Sequence, residues 1–260
     1  MKVAFYLNPK YASIEDLIIR IPKNIDSLGY EIKNGRNVIR LVNSKGHSLV
    51  VKYFKKITFF NRIVFSTIRK SKARRAYEHA KMLKNHGITT PEPIAWINCY
   101  RYGILYRSYY VSLYTYYKPF EELLKLPIVE SEKAIKAFAR FTYKLHRAGI
   151  LHDDFTFKNV LFDVFDDEYD FSLIDTNRMR FRRYSLQSGI KNLTRMKISV
   201  DKMGVFTAEY ARKAQVDELE LLNAITYTRI QYLLKVSMRK RIKSIFKLKK
   251  NKQVMIAANT

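Results

Sequence analysis

Residues 149–163 read GILHDDFTFKNVLFD, two adjacent aspartates and an asparagine in otherwise apolar surroundings. The segment has the look of a short strand, a tight turn and a second strand. Before it comes SEKAIKAFARFTYKLHRAG, whose apolar residues recur at helical spacing, with Ser131 placed as an N-cap and Gly149 as a C-terminal stop. After it, FSLIDTNR sets Asp175 behind apolar-rich positions, sixteen residues past Asn159. A lone Asp154 reads as a turn-capping aspartate, and the acids between Asp163 and Asp170 read as a solvated hairpin turn without chemistry. His152, Asp154, Asn159 and Asp175 together, each in a strand-turn context after a helix, call for more than turn capping.

The rest of the chain bounds the answer. Its 260 residues support one large domain or two lobes, and 47% apolar with 14% aromatic residues marks a folded protein. The net charge of +26 favours anionic partners, whether nucleic acid, an anionic membrane surface, or phosphorylated and carboxylated substrates. A single cysteine, Cys99, excludes an internal disulfide framework and a multi-cysteine zinc site. The first twenty residues lack the pattern of a cleavable leader, and no run reaches the eighteen or so uncharged apolar residues of a membrane span. The expectation is a cytoplasmic protein with at most peripheral membrane contact.

From Glu31 onward, EIKNGRNVIRLV and VNSKGHSLVVKYFKK read as a β-meander with turns at Asn34-Gly35 and Lys45-Gly46. A helix is predicted over residues 66–85, stopped by Gly87, then an extended TTPEPIAWI connection, then a strand pair in GILYRSYYVSLYTYY. After Pro119 the helical period returns, and from Lys191 it dominates. The predicted class is α+β, a bilobal arrangement hinged near Tyr117–Pro119. Residues 1–117 form a β-rich lobe with one main helix and 118–260 a mostly helical lobe, with a ligand cleft between them.

HDDFTFKN has the spacing of the protein-kinase catalytic loop, an aspartate and an asparagine with four residues between them, which Asp154 and Asn159 satisfy. There the carboxylate orients or deprotonates the acceptor hydroxyl, and the carboxamide holds a metal ion against the phosphates. Asp175 stands where a second metal-binding carboxylate is required. His152 reads as packed scaffold. By the same pattern SLVVKYF offers Lys52 for the nucleotide phosphates. Glu78, the sole acid between Lys52 and Thr90, is its expected partner, and the alternative for Glu78 is an ordinary helical pair with Arg74.

Taken together, RNVIRLV, LVVKYF, the Glu78 helix, GITTPEPIAW, LHDDFTFKNVLF, LIDTNRMRF and NLTRM resemble the lipopolysaccharide core kinases, the Kdo/WaaP family of the protein-kinase-like superfamily, over roughly residues 36–196. The resemblance implies ATP-dependent phosphorylation, with Mg2+, of a Kdo or heptose hydroxyl of the inner core. The implied place is the cytoplasmic face of the inner membrane of a Gram-negative cell. There are departures. No glycine-rich phosphate loop is present, which leaves amides near Gly35 or the Arg36 side chain to cover the phosphates. Thr176-Asn177 replaces the usual phenylalanine-glycine, and Asp153 replaces an arginine that answers a phosphorylated activation loop. These losses argue against a phosphorylation-switched protein kinase.

Arg178, first of the arginines in RMRFRRY, and Lys158 are candidates to bind an anionic acceptor, a lipid A–Kdo glycolipid on this reading; a solvated charged face is the alternative. In the tail, Ile230, Leu233, Leu234, Met238, Ile242, Ile245 and Phe246 share one helical side amid lysines and arginines. That suits an interfacial helix on anionic lipid, or one packed on the C-terminal lobe. Three other functions compete: a protein kinase or a soluble aminoglycoside-type phosphotransferase, a pseudokinase, and a nucleic-acid-binding protein. The last gives no reason for acids at kinase spacing, so nucleic acid is not the expected partner.

Overall fold

The computed structural model describes residues 1–55 and 57–258. The chain opens with β1 (Lys2–Leu7), a 3-10 turn and α1 (Glu15–Asn24). The meander follows as β2 (Tyr30–Asn34), β3 (Val38–Ser44) and β4 (His47–Tyr53), then α2 (Phe59–Thr67), α3 (Lys72–Asn85), β5 (Pro93–Arg101) and β6 (Ile104–Leu113). These strands make one six-stranded sheet in the order β1-β5-β6-β4-β3-β2. Alternation along β4 buries Leu49 and Val51 against α1, while Lys52 points the other way. The α1 residues Leu17, Ile18 and Ile21 sit at helical spacing, and Ile25 just past the helix extends the same stripe, sealing one face of the sheet.

The second lobe contains β7 (Lys118–Pro119), α4 (Ile128–Arg147), β8 (Ile150–His152), β9 (Val160–Phe165), β10 (Glu168–Leu173), β11 (Met179–Phe181), α5 (Leu186–Leu193), α6 (Val200–Ala214) and α7 (Glu218–Ala258). Its core gathers Phe120, Phe138, Phe155, Phe157, Phe171 and Phe206 around α4. The class is α+β, a sheet-rich lobe followed by a helical one, as the sequence pattern predicts.

Three local expectations are corrected. The helix predicted over 66–85 is two helices, because Ser71 takes an extended conformation and its hydroxyl accepts the Arg74 N–H at 3.1 Å, starting α3 afresh. Ser131 is not an N-cap: α4 begins after Pro127, and the Ser131 hydroxyl, buried within the helix, donates to the Pro127 carbonyl at 2.9 Å. The expected extended connection is strand β5 from Pro93, which hairpins onto β6 through Tyr102-Gly103, both at positive φ.

Candidate active site

The acidic stretch is built as two short antiparallel pairings. β8 pairs with β11, with Met179 opposite His152, and β9 pairs with β10. Asp153 and Asp154 therefore leave the end of β8 beside Arg178, whose carbonyl accepts the Asp153 N–H at 2.9 Å. Gly149 permits the approach of β8 to Arg182: its φ is +72°, and a Cβ there would collide with the Arg182 carbonyl.

His152 is wholly buried and ties the loop together. Its Nδ1 accepts the Asp154 N–H at 3.0 Å, so Nε2 carries the proton and donates to the Ile174 carbonyl at 3.2 Å. Burial pushes the imidazole below its ordinary pKa, which keeps it neutral, as befits a scaffold. Behind it, Asn192 donates to the His152 carbonyl at 2.7 Å and offers Oδ1 to the His152 N–H at 3.3 Å. That same Oδ1 accepts from His146 Nε2 at 3.2 Å.

Asn159 donates through Nδ2 to the Asp154 carbonyl at 2.8 Å, leaving Oδ1 as an available acceptor. The Asn159 carbonyl accepts the Ile174 N–H at 3.0 Å, which draws the residue before Asp175 to the same loop. Asp175 occupies the left-handed region at φ 59°, ψ 39°, a conformation an ordinary aspartate adopts only at a cost of about 1–3 kcal/mol. The surroundings fix it there: the Thr176 hydroxyl donates to the Ala76 carbonyl at 2.8 Å, and the His79 Nδ1 donates to the Thr176 carbonyl at 2.8 Å. Thr176 thus anchors α3 to the loop that carries Asp175.

Lys52 reaches Asp175, 123 residues away in sequence, with Nζ 2.6 Å from Oδ1. Burial would raise the Asp175 carboxyl; Lys52 chiefly, with His152 and Arg178, holds it below the usual carboxylate range. Asp154 has both oxygens engaged, Oδ2 by Arg178 at 3.0 Å and Oδ1 by Arg195 at 2.7 Å. Arg195 lies in the NLTRM segment and was not singled out by the spacing of the acidic motifs. Asp153 takes a different course and pairs with Arg180 at 2.5 Å.

The expected Lys52–Glu78 pair is not formed. Glu78 is bound by Lys70 and Arg74, each at 2.9 Å. The reason is helical phase: α3 buries Ala73, Ala76, Ala80 and Leu83, and at about 100° per residue Glu78 falls nearly opposite that stripe. Arg36, at the tip of the β2–β3 hairpin, is exposed but near enough to Lys72 to help depress that ammonium. Lys158 is exposed in the 3-10 turn Phe157–Asn159, with no ion pair among the described residues.

The lysine, two aspartates and asparagine therefore meet at one place between the lobes, an arrangement chemically capable of supporting phosphoryl transfer. The family model of the lipopolysaccharide kinase (Kdo/WaaP) family matches residues 27–216. The chain belongs to that family. Members are lipopolysaccharide kinases, so the chain is an ATP-dependent phosphotransferase of lipopolysaccharide core synthesis. No curated protein matches the chain in sequence. Among solved structures, WaaP in complex with acyl carrier protein is similar in fold, with TM-score 0.59 and 17% identity, covering 89% of this chain and 99% of that one. A MAP kinase from Leishmania major aligns with TM-score 0.42 and 15% identity, over 82% of this chain and 65% of its own. The Kdo/WaaP match begins at residue 27, so β1 and α1 precede the family core and brace its sheet.

Magnesium fits the donors present. Asp175 and the free Oδ1 of Asn159 supply one carboxylate and one carboxamide, the sparse oxygen set that magnesium completes with phosphate oxygens and water. Among the described residues no group of three or more His, Cys, Asp or Glu side chains forms a metal cage of its own.

Proposed function

We propose that this kinase phosphorylates a sugar hydroxyl of the lipopolysaccharide inner core, on Kdo or heptose, using Mg-ATP at the cytoplasmic face of the inner membrane. Residues 1–117 act as the nucleotide lobe and 118–260 as the acceptor lobe. The observation that carries the reading is the convergence of Lys52 on β4, Asp154 and Asn159 in the β8–β9 loop, and Asp175 after β10, three separate segments. Lys52 moves its ammonium from Asp175 to the α- and β-phosphates when nucleotide enters, and Arg36 covers the phosphates from the hairpin tip. Asp154 still has lone pairs beyond those its two arginines use, and accepts a hydrogen bond from the acceptor hydroxyl. Asn159 and Asp175 would hold magnesium, which supplies neutralisation of the charge that builds on the transferring phosphoryl. Positioning and charge then account for catalysis. Arg178 and Lys158 face the acceptor.

Peripheral attachment is supported by α7. Leu221 and Ile225 at its start are buried in the helical lobe, whereas Ile230, Leu233, Leu234, Met238 and Ile242 are exposed. The side chains of Ile245 and Phe246 lie outside the described residues. No acid follows Glu220, and the sequence after it holds ten lysines and arginines. Such a face suits anionic lipid, each cation near the surface contributing on the order of 1 kcal/mol. No helix among the described residues is long and apolar enough to cross a membrane. The WaaP structure contains acyl carrier protein, and a protein partner of that kind is the alternative occupant of this face.

The test is an acceptor panel with labelled ATP: Kdo-bearing and heptose-bearing lipid acceptors, an aminoglycoside and a generic protein substrate. Label entering a core sugar, faster on anionic vesicles than in detergent, is the expected result. Label in the aminoglycoside or protein alone would move the enzyme to the competing class.

A further inference from the structure

A cavity of about 780 Å3 opens beside the Asp154 loop, within the size range of a small-molecule site. Both lobes line it: Lys72 and Arg75 come from α3, and Asn177, Arg182, Lys191 and Arg195 from the other side. Among the described residues, eight lysines and arginines face it against one acid, Asp153, which Arg180 already neutralises. Lys52, Asn159 and Asp175 are not among its walls, so it is separate from the groups assigned to the nucleotide phosphates and metal.

The cations here are short of partners. Among the described residues, Lys72, Arg75, Arg182 and Lys191 have no carboxylate pair. The Arg75 Nε is buried without a hydrogen-bond acceptor, and the buried Asn177 has its Oδ1 without a donor. Burial, with Arg178, Arg36 and Arg75 nearby, depresses the Lys72 ammonium. Burial and the charges of Arg69 and Arg178 push Arg75 down to about 10. Half-buried like charges with orphaned donors are costly, and an entering anion relieves them. The orphaned Asn177 oxygen asks in addition for a hydroxyl. No aromatic residue among the described ones lines the cavity, so they offer no platform for stacked bases.

We propose that this cavity holds an anionic group that the acceptor already carries, a phosphate or a carboxylate, with an adjoining hydroxyl on Asn177. The inference rests on the kinase reading of the neighbouring loop. Arg178 and Arg195 line the cavity and also hold the two Asp154 oxygens; a guanidinium has five donors and can serve both. The acceptor's own anion thereby sets the register of the hydroxyl presented to Asp154, and it closes the lobes by drawing α3 towards α5. An acceptor without that anion is a poor substrate whatever its sugar.

Two measurements test this, on wild type, Lys191→Gln and Arg75→Gln/Lys191→Gln. Lys191 is exposed, so its single variant folds even if the double variant does not. The first is calorimetric titration with inorganic pyrophosphate while a non-hydrolysable ATP analogue saturates the nucleotide site. Wild type binds with proton uptake at alkaline pH, and Lys191→Gln weakens binding roughly tenfold, the scale of one charge-assisted hydrogen bond. Equal binding by both proteins, or none by wild type, overturns the proposal. The second is steady-state transfer. Lys191→Gln raises KM for the acceptor about tenfold with kcat and the KM for ATP nearly unchanged. Removing the acceptor's phosphates, or esterifying its carboxylate, does the same to wild type without adding to the variant's defect. Whichever treatment does so identifies the anion, and if neither does the proposal fails. Should wild type phosphorylate no acceptor at all, the kinase reading fails, and the pyrophosphate titration still decides the cavity.

Discussion

Acidification should loosen the helical lobe through one histidine. His146 is 1% exposed, on α4 directly behind β8. Asn192 spends its Nδ2 on the His152 carbonyl, so its Oδ1 must receive a proton from His146 Nε2. His146 Nδ1 is left to accept the Tyr210 hydroxyl at 2.9 Å. Gly189 makes room for this group, since a Cβ there would come within 2.8 Å of Nδ1. A second proton on the ring meets a hydroxyl donor in a dry site, and burial, against the pull of Asn192, pushes the pKa to about 4. The ring is thus neutral in the folded protein and protonates near 6.5 once unfolded. Between those values the unfolded chain binds the extra proton, so stability is full above pH 6.5 and falls as pH drops towards 4. Each pH unit costs about 1.4 kcal/mol, on the order of 3 kcal/mol over the window. His152 and His79 are also depressed by burial and add slope of the same sign, so the single residue must be isolated. Urea unfolding from pH 7.5 to 4 on wild type and His146→Gln does this, because glutamine keeps hydrogen-bonding capacity without titrating. The two stabilities should converge by on the order of 3 kcal/mol as pH falls. Parallel curves would refute the buried neutral imidazole.

Two further outcomes follow from the site. Glu78→Gln should change kcat and the KM for ATP by no more than about threefold, since it breaks only a partly exposed pair worth up to about 1 kcal/mol. Lys52→Met should lower transfer by about a hundredfold or more, and equal damage from both would restore Glu78 as the partner of Lys52. Gly149→Ala should cost about 1–3 kcal/mol from positive φ alone, with the collision against Arg182 adding to it. An unchanged urea midpoint would contradict that strand geometry.

That the acidic groups come together was legible because the information is local. Asp154 and Asn159 lie within one turn, and Asp175 follows two residues after β10, which pairs back on β9, so spacing alone places all three together. Lys52 was legible because its neighbours alternate as a strand must. Glu78 was misread because membership of the right helix does not fix which face a residue takes; its phase relative to Ala73 and Ala76 was the available signal. The α1 brace was missed although Leu17, Ile18, Ile21 and Ile25 carry a helical stripe, since Pro22 inside it argues for a break. Arg195 and the Lys72–Arg75 wall come together only through tertiary packing, and no spacing in the chain announces them.

The most direct test of the central claim is transfer of labelled phosphate from ATP to a purified core acceptor by wild type and Asp154→Ala. Wild type should label the sugar, and Asp154→Ala should lose about a hundredfold or more in kcat while binding ATP with unchanged affinity. Equal transfer by both proteins would contradict the role given to Asp154.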